Sequence, residues 1–161
     1  AGRSCSLKLC LRIKYGSTVA AWREAFDPQM QGSVSFGKFV LLLEECGFQG
    51  NVKGLWEELA LGRPGITLRD VDPDACRHLD RLRGQLLGKY GSLVAAWDAL
   101  DQDACGRLDQ EDFAAACAEQ GLAIKNPKKA FLLLRARLGQ RSLTVEDFVA
   151  LLLTLPSEER A

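Results

Sequence analysis

Apolar positions along this chain recur mostly at helical spacing. In "DPDACRHLDRLRGQLLG", Leu79, Leu82 and Leu86 fall on one face, Asp72 can cap and Pro73 can open a helix. That predicts a linking helix over 73–87, about 14 residues long. Trp97 and Leu100 share the apolar face of a helix that enters a polar loop, and Cys117 in "FAAACAEQ" takes an apolar-face position of another. "FVLLLEECGF", "AFLLLRARL" and "FVALLLTL" carry more Leu than one helical face needs. The surplus is either buried between paired helices or offered to a partner. Only "LKLCLRI" alternates apolar and polar residues as a strand would. Its place before the first "KYGS" matches that of the linking helix before the second, so the segment 1–13 is expected to be a helical N-terminal extension.

The pattern is written twice. "KYGSTVAAW" spans Lys14–Trp22 and "KYGSLVAAW" spans Lys89–Trp97. In each, a Gly (Gly16, Gly91) ends one helix, a Ser (Ser17, Ser92) caps the next, and Val-Ala-Ala-Trp begins its buried face. Each continues into a loop with a central Gly (Gly32, Gly106), an apolar residue two further on (Val34, Leu108), and a helix opened by a Phe (Phe39, Phe113). A fainter unit follows from Asn51 and from Asn126, both good N-caps, with Pro127 at a first helical position. Their helices should end near Leu61 and Leu138, before an apolar–Thr step at Ile66–Thr67 and Leu143–Thr144. Each half is thus a pair of helix-loop-helix units. The expected division is 1–13, a pair over 14–72, the linking helix 73–87, a pair over 88–153, and a tail 154–161. Val34 should pair with Ile66, and Leu108 with Leu143, as short strands.

The third unit, "WDALDQDACGRLDQEDF", carries a loop from Asp101 to Asp112 with carboxylates at the first, third, ninth and last places, Gly106 in the sixth and Leu108 in the eighth. These residues resemble the EF-hand superfamily, and the four-unit layout is similar to a calmodulin-like protein. The resemblance implies an all-α fold of two paired EF-hand domains joined by a linking helix. It also implies a weak Ca²⁺ or Mg²⁺ candidate site, with Asp101, Asp103 and Asp112 as direct ligands, Arg107 through its main-chain carbonyl, and Asp109 through water. Two residues depart from the pattern. Cys105 stands where an oxygen ligand belongs, and Asp112 replaces a longer Glu, so the expected affinity is about 10⁻⁴ M or weaker.

The other loops lack acid. In the first, Asp27 is the only carboxylate through Lys38, and Trp22 precedes Asp27 by one residue more than Trp97 precedes Asp101. The second, Ala60 to Asp70, holds Arg63 and Arg69. The fourth holds Arg137 and Arg141, with Glu146 and Asp147 its only acids.

Composition narrows the function. An apolar share of 47% supports a real core, and 21 basic against 21 acidic residues leave no net field for nucleic acid or an anionic membrane. Six cysteines show no Cys-x-x-Cys pair, which argues for reduced, structural thiols and a reducing, intracellular and cytoplasmic setting. No apolar run approaches the roughly 20 residues of a membrane span, and "AGRSCSLKLCLRI" lacks the apolar core of a secretory signal. His78, the only His, has no nucleophile or phosphate loop in convincing context, so no enzyme is expected. A non-enzymatic interaction or scaffold module leads, binding a protein partner, a helix or a larger complex. A calcium sensor using the third loop is the alternative. A single Met, Met30, counts against the sensor, because adaptable grooves are Met-rich.

Overall fold

A computed structural model describes residues 2–154, with side chains from 6 to 152. The expected tail 154–161 lies outside the described residues beyond Thr154. The described chain is mostly helical. Helix α1 (Gly2–Tyr15) includes the segment with strand-like alternation. Its register buries Leu7, Leu11 and Tyr15 on one side, which a helix does at these spacings and a strand does not. Gly16 then turns the chain with φ +95°, and a Cβ there would lie 3.1 Å from the Leu138 Cα, so only glycine suits.

Ser17 caps α2 (Thr18–Ala21) by accepting the Ala20 N–H at 2.9 Å. A π-helical turn, Trp22–Phe26, follows directly. Strand β1 (Val34–Ser35) leads into α3 (Phe36–Cys46), and α4 (Val52–Ala60) starts at the Asn51 cap. Strand β2 (Gly65–Ile66) precedes α5 (Leu68–Val71). The pairing is antiparallel with Val34 opposite Ile66.

The linking helix α6 runs Pro73–Tyr90, 18 residues, and so passes the expected end at 87. Gly88 stays within the helix, and termination waits for Gly91 at φ +83°. The second half repeats the first: α7 (Leu93–Leu100), β3 (Leu108–Asp109), α8 (Gln110–Glu119), α9 (Pro127–Leu134), β4 (Ser142–Leu143) and α10 (Val145–Val149), closed by a 3-10 turn over Ala150–Thr154. Leu108 faces Leu143 across the second antiparallel pair. Helix α9 stops at Leu134, not near Leu138, and the cause lies in a residue far away, described below.

The Leu surplus is spent mainly inside. Leu42, Leu43, Leu133, Leu134 and Leu151 are buried, and residues of both halves join one continuous core cluster. Helices α1 and α6 carry much of this: Leu7 and Leu11 hold the repeat positions of Leu82 and Leu86, and all four are at most 4% exposed. Helix α1 packs on α2, α3 and α4, while α6 packs on α5, α7, α9 and the 3-10 turn. The chain's own helices thus cover most of the apolar surface of both pairs, while Phe36, Leu41, Val94, Leu138 and Val149 stay exposed. Aromatic pairs add to the seams, with Trp22 stacked on Phe26 and Trp97 edge-on to Phe148.

Candidate functional site

The four interhelical loops are where chemistry was expected, and each is closed by side chains of the chain itself. In the first, Asp27 is 5% exposed and takes the N–H of Gln31 on one carboxylate oxygen and of Gly32 on the other, both at 2.7 Å. In the third, Asp101 is 8% exposed and takes the N–H of Cys105 at 3.3 Å and of Gly106 at 2.8 Å in the same way. Met30 and Ala104 occupy the same left-handed place in the two turns, at φ 55° and 53°. Such a conformation costs a non-glycine residue about 1 kcal/mol, which two charge-assisted hydrogen bonds offset. The first loop has one carboxylate and the third has five, yet their turns match. One buried aspartate therefore suffices to shape the turn.

The remaining expected residues spread out. Asp101, Asp103, Arg107 and Asp112 line one cavity of about 180 Å³, whereas Asp109 does not. Asp109 caps α8 by accepting the Asp112 N–H at 2.8 Å. The Cys105 thiol lies 3.1 Å from the Arg107 carbonyl oxygen and 3.5 Å from an Asp101 carboxylate oxygen, so its single S–H donates to one or the other. It stands between two of the oxygens a cation would need. Among the described residues, no three His, Cys, Asp or Glu side chains gather in a way that could hold a metal ion. The Cys105 thiol stands where an oxygen ligand belongs and lies within hydrogen-bond reach of two of the other donors, which weakens this set as a site for a hard dication.

The second and fourth loops are each held by a guanidinium of the chain. Arg63 donates from Nε to the Ala60 carbonyl at 2.8 Å, and from Nη2 to the Leu59 carbonyl at 2.9 Å and the Asp70 carboxylate at 2.7 Å. In the fourth loop, Leu134 and Asp147 hold the places of Leu59 and Asp70, and both are bound by a guanidinium. It comes from Arg23: Nη1 donates to the Leu134 carbonyl and Nη2 to an Asp147 oxygen at 2.9 Å. The other Asp147 oxygen accepts from the Thr144 N–H and from Gln140 Nε2, each at 2.9 Å. Gln140 also accepts the Ala136 N–H and donates to the Ser142 carbonyl. Arg137 and Arg141, the arginines that belong to this loop, are exposed.

This explains why α9 ends early. The Leu134 carbonyl and the Ala136 N–H bond to the side chains of Arg23 and Gln140, and the Arg135 backbone turns extended. It also explains the extra residue between Trp22 and Asp27. The Asp27 N–H bonds to the Trp22 carbonyl across the π-helical turn at 2.8 Å, as the Asp101 N–H bonds to Trp97 across an α-turn at 2.8 Å. The insertion becomes a bulge in the entering helix, and the turn it forms carries Arg23. The sequence signal for this is the Trp–Asp spacing, and nothing local in the sequence marks Arg23.

The buried thiols behave as packing groups. Cys10, Cys46, Cys76, Cys105 and Cys117 are free, and burial pushes Cys76 and Cys117 up to about 12. Burial also raises Cys46, against the opposing hydrogen bond of Tyr15 and the charge of Lys14. His78 is half-buried on α6, its pKa lowered by burial and then by Lys129, Arg81 and Arg77. Among the described residues no helix is long and apolar enough to cross a membrane. No protein-family model matches the chain, and no curated protein matches it significantly.

Proposed function

We propose that the chain is a non-enzymatic interaction module of EF-hand type, with two paired domains over 14–72 and 88–153, whose shape is held by its own side chains rather than by a bound cation. The observation that carries this reading is the pair of guanidinium groups, Arg63 and Arg23, each joining a helix-end carbonyl to a loop carboxylate. Four helix-loop-helix units and the two strand pairs at Val34–Ile66 and Leu108–Leu143 support the family assignment. A tethered guanidinium cannot diffuse away, so these loops have no ligand-dependent equilibrium. Such a module works by presenting a fixed surface to a protein partner or by packing in a larger assembly. Free thiols at all five described cysteines support a reducing, intracellular setting.

The second reading is a calcium sensor using the third loop, favoured by the cavity that Asp101, Asp103 and Asp112 share. Thermal unfolding at about 1 mM Ca²⁺ separates the two. A site near 10⁻⁴ M adds about 1.4 kcal/mol, a site near 10⁻⁶ M about 4 kcal/mol. At about 2–4 °C per kcal/mol, these are shifts of roughly 3–6 °C and 8–16 °C. The scaffold reading expects the smaller shift or none, with no new dye-binding surface. A large shift with a rise in dye fluorescence, both lost in Asp101→Ala, overturns it. The same titration with Mg²⁺ is expected to give no larger response.

A further inference from the structure

A groove of about 280 Å³ opens between α6 and the segment joining α8 to α9. Its apolar wall is formed by Leu82, Ile124 and Leu133, and its polar edge by His78, Arg81 and Lys125. Among the described residues, no carboxylate lines it. We propose that this groove docks an acidic amphipathic helix of a partner protein, with one apolar side chain seated against Leu82, Ile124 and Leu133 and flanking carboxylates on Arg81 and Lys125. The proposal rests on the interaction-module reading and names its partner's chemistry.

Charge complementarity selects this occupant. Of the cations around α6, Arg69 and Arg83 pair with Asp80, and Arg77 pairs with Asp74. Arg81 and Lys125 are exposed and meet no carboxylate among the described residues. Lys129 lines a second cavity with Asp72 and Asp74, so the groove's own fixed cations are Arg81 and Lys125. In a chain whose total charge is zero, this local excess is a feature of the groove and not of the whole surface. Two cations, Arg81 and Lys125, suit a pair of carboxylates, whereas a protein gripping nucleic acid can contact on the order of 6–10 phosphates.

Shape agrees with charge. The volume lies just below the roughly 300–1,000 Å³ of small-molecule sites, which suits an anchoring side chain rather than a cofactor. His78, Arg81, Leu82 and Gln85 follow one another at helical spacing along α6, so the groove runs parallel to a helix and favours a helical ligand. The far wall is pre-set. Gln85 donates to the Ala123 carbonyl at 2.9 Å and accepts the Ala123 N–H at 2.7 Å, which pins the α8–α9 segment. Little ordering entropy remains to be lost when a ligand enters.

The test uses the full chain and a short fluorescent helical peptide of Glu, Ala and Leu, with leucines one turn apart, beside its Lys-for-Glu counterpart. Anisotropy at low salt is expected to show saturable binding of the acidic peptide at about 10⁻⁵ M, and none of the basic one. Arg81→Glu with Lys125→Glu should weaken binding at least about tenfold. Ala130→Leu, which fills the groove from α9, should weaken it without altering the charge. Circular dichroism on each variant separates lost binding from lost fold. Absence of saturable binding, equal binding of both peptides, or indifference to both sets of substitutions overturns the proposal. So does self-association that Ala130→Leu abolishes, which would make the groove a contact between copies. Failure here with a flat Ca²⁺ response leaves the scaffold reading standing, whereas a large Ca²⁺ response sinks that reading by itself.

Discussion

Replacing Arg23 with Met keeps most of the aliphatic stem and removes the guanidinium. Two groups then lose their partner: the Leu134 carbonyl and one oxygen of Asp147, a residue 2% exposed. Removing one member of a buried ion pair costs about 3–5 kcal/mol, because the remaining charge stays desolvated. Asp147 keeps its Thr144 and Gln140 donors, so the lower end applies, about 3 kcal/mol. For a domain of this size that is a fall in Tm of roughly 6–12 °C. Arg63→Met is the internal comparison. Its guanidinium side chain is 47% exposed against 16% for Arg23, and exposed pairs contribute only about 0–1 kcal/mol. Urea unfolding of both variants, and of Arg23→Met with Asp147→Asn, measures the terms. The double variant should recover part of the loss, since an unpaired amide costs less to bury than an unpaired carboxylate. Equal losses in the two single variants, or less than about 1 kcal/mol for Arg23→Met, would refute the idea that the first unit supplies the fourth loop's cation.

Deleting Ala25 should restore the shorter Trp–Asp spacing of the third unit and remove the π-helical turn. It is expected to destabilise at least as much as Arg23→Met in the same urea assay, because Trp22, Arg23 and Asp27 can no longer all keep their places. Alkylation of the native protein should label Cys105 quickly and leave Cys76 and Cys117 protected until unfolding, read by mass spectrometry at neutral pH. His78 faces Lys129 on α9 and Arg77 and Arg81 on its own helix, opposed by Asp72, and its folded pKa lies below the usual value. The unfolded chain takes the proton first, so stability should fall as pH drops through about 6.5, and the His78→Gln variant should lose that part of the slope in thermal scans.

What could be read from the sequence is what chemistry over a few residues decides. Ser17, Ser92, Asn51, Asn126, Asp72 and Pro73 act at the helix starts where their types place them. Val34 and Leu108 meet Ile66 and Leu143 because alternation around a central Gly fixes which residue points inward. The C-terminus of α9 was out of reach, since its last carbonyl is claimed by Arg23 from 111 residues away. The extra residue before Asp27 was visible, but spacing alone does not say whether a loop or a bulge absorbs it. Arginines near the loops read as charge a dication would shun. They also serve as the cation, and which arginine does so depends on packing: Arg63 serves its own loop, while Arg137 and Arg141 face solvent and leave theirs to Arg23.

The guanidinium contacts bear on whether any cation could switch this molecule. A ligand moves an equilibrium only by its difference in affinity for two states. The third loop meets the fourth through Leu108 and Leu143, and the fourth is tied to the first unit by Arg23. A cation entering beside Asp101 would have to draw in Asp103 and Asp112 and displace Cys105, while its partner loop stays closed by a group that does not leave. At micromolar Ca²⁺ a site near 10⁻⁴ M supplies roughly 0.01 kcal/mol, against about 3 kcal/mol in the Arg23 contact. Even at millimolar Ca²⁺, the gain of about 1.4 kcal/mol stays below that contact. Opening the second half by Ca²⁺ would therefore require Arg23 to be lost first, so Arg23→Met is the background in which a Ca²⁺-dependent change in helix packing should emerge. If dye binding responds to Ca²⁺ equally in the wild-type chain and in Arg23→Met, the guanidinium is not what holds the loops shut.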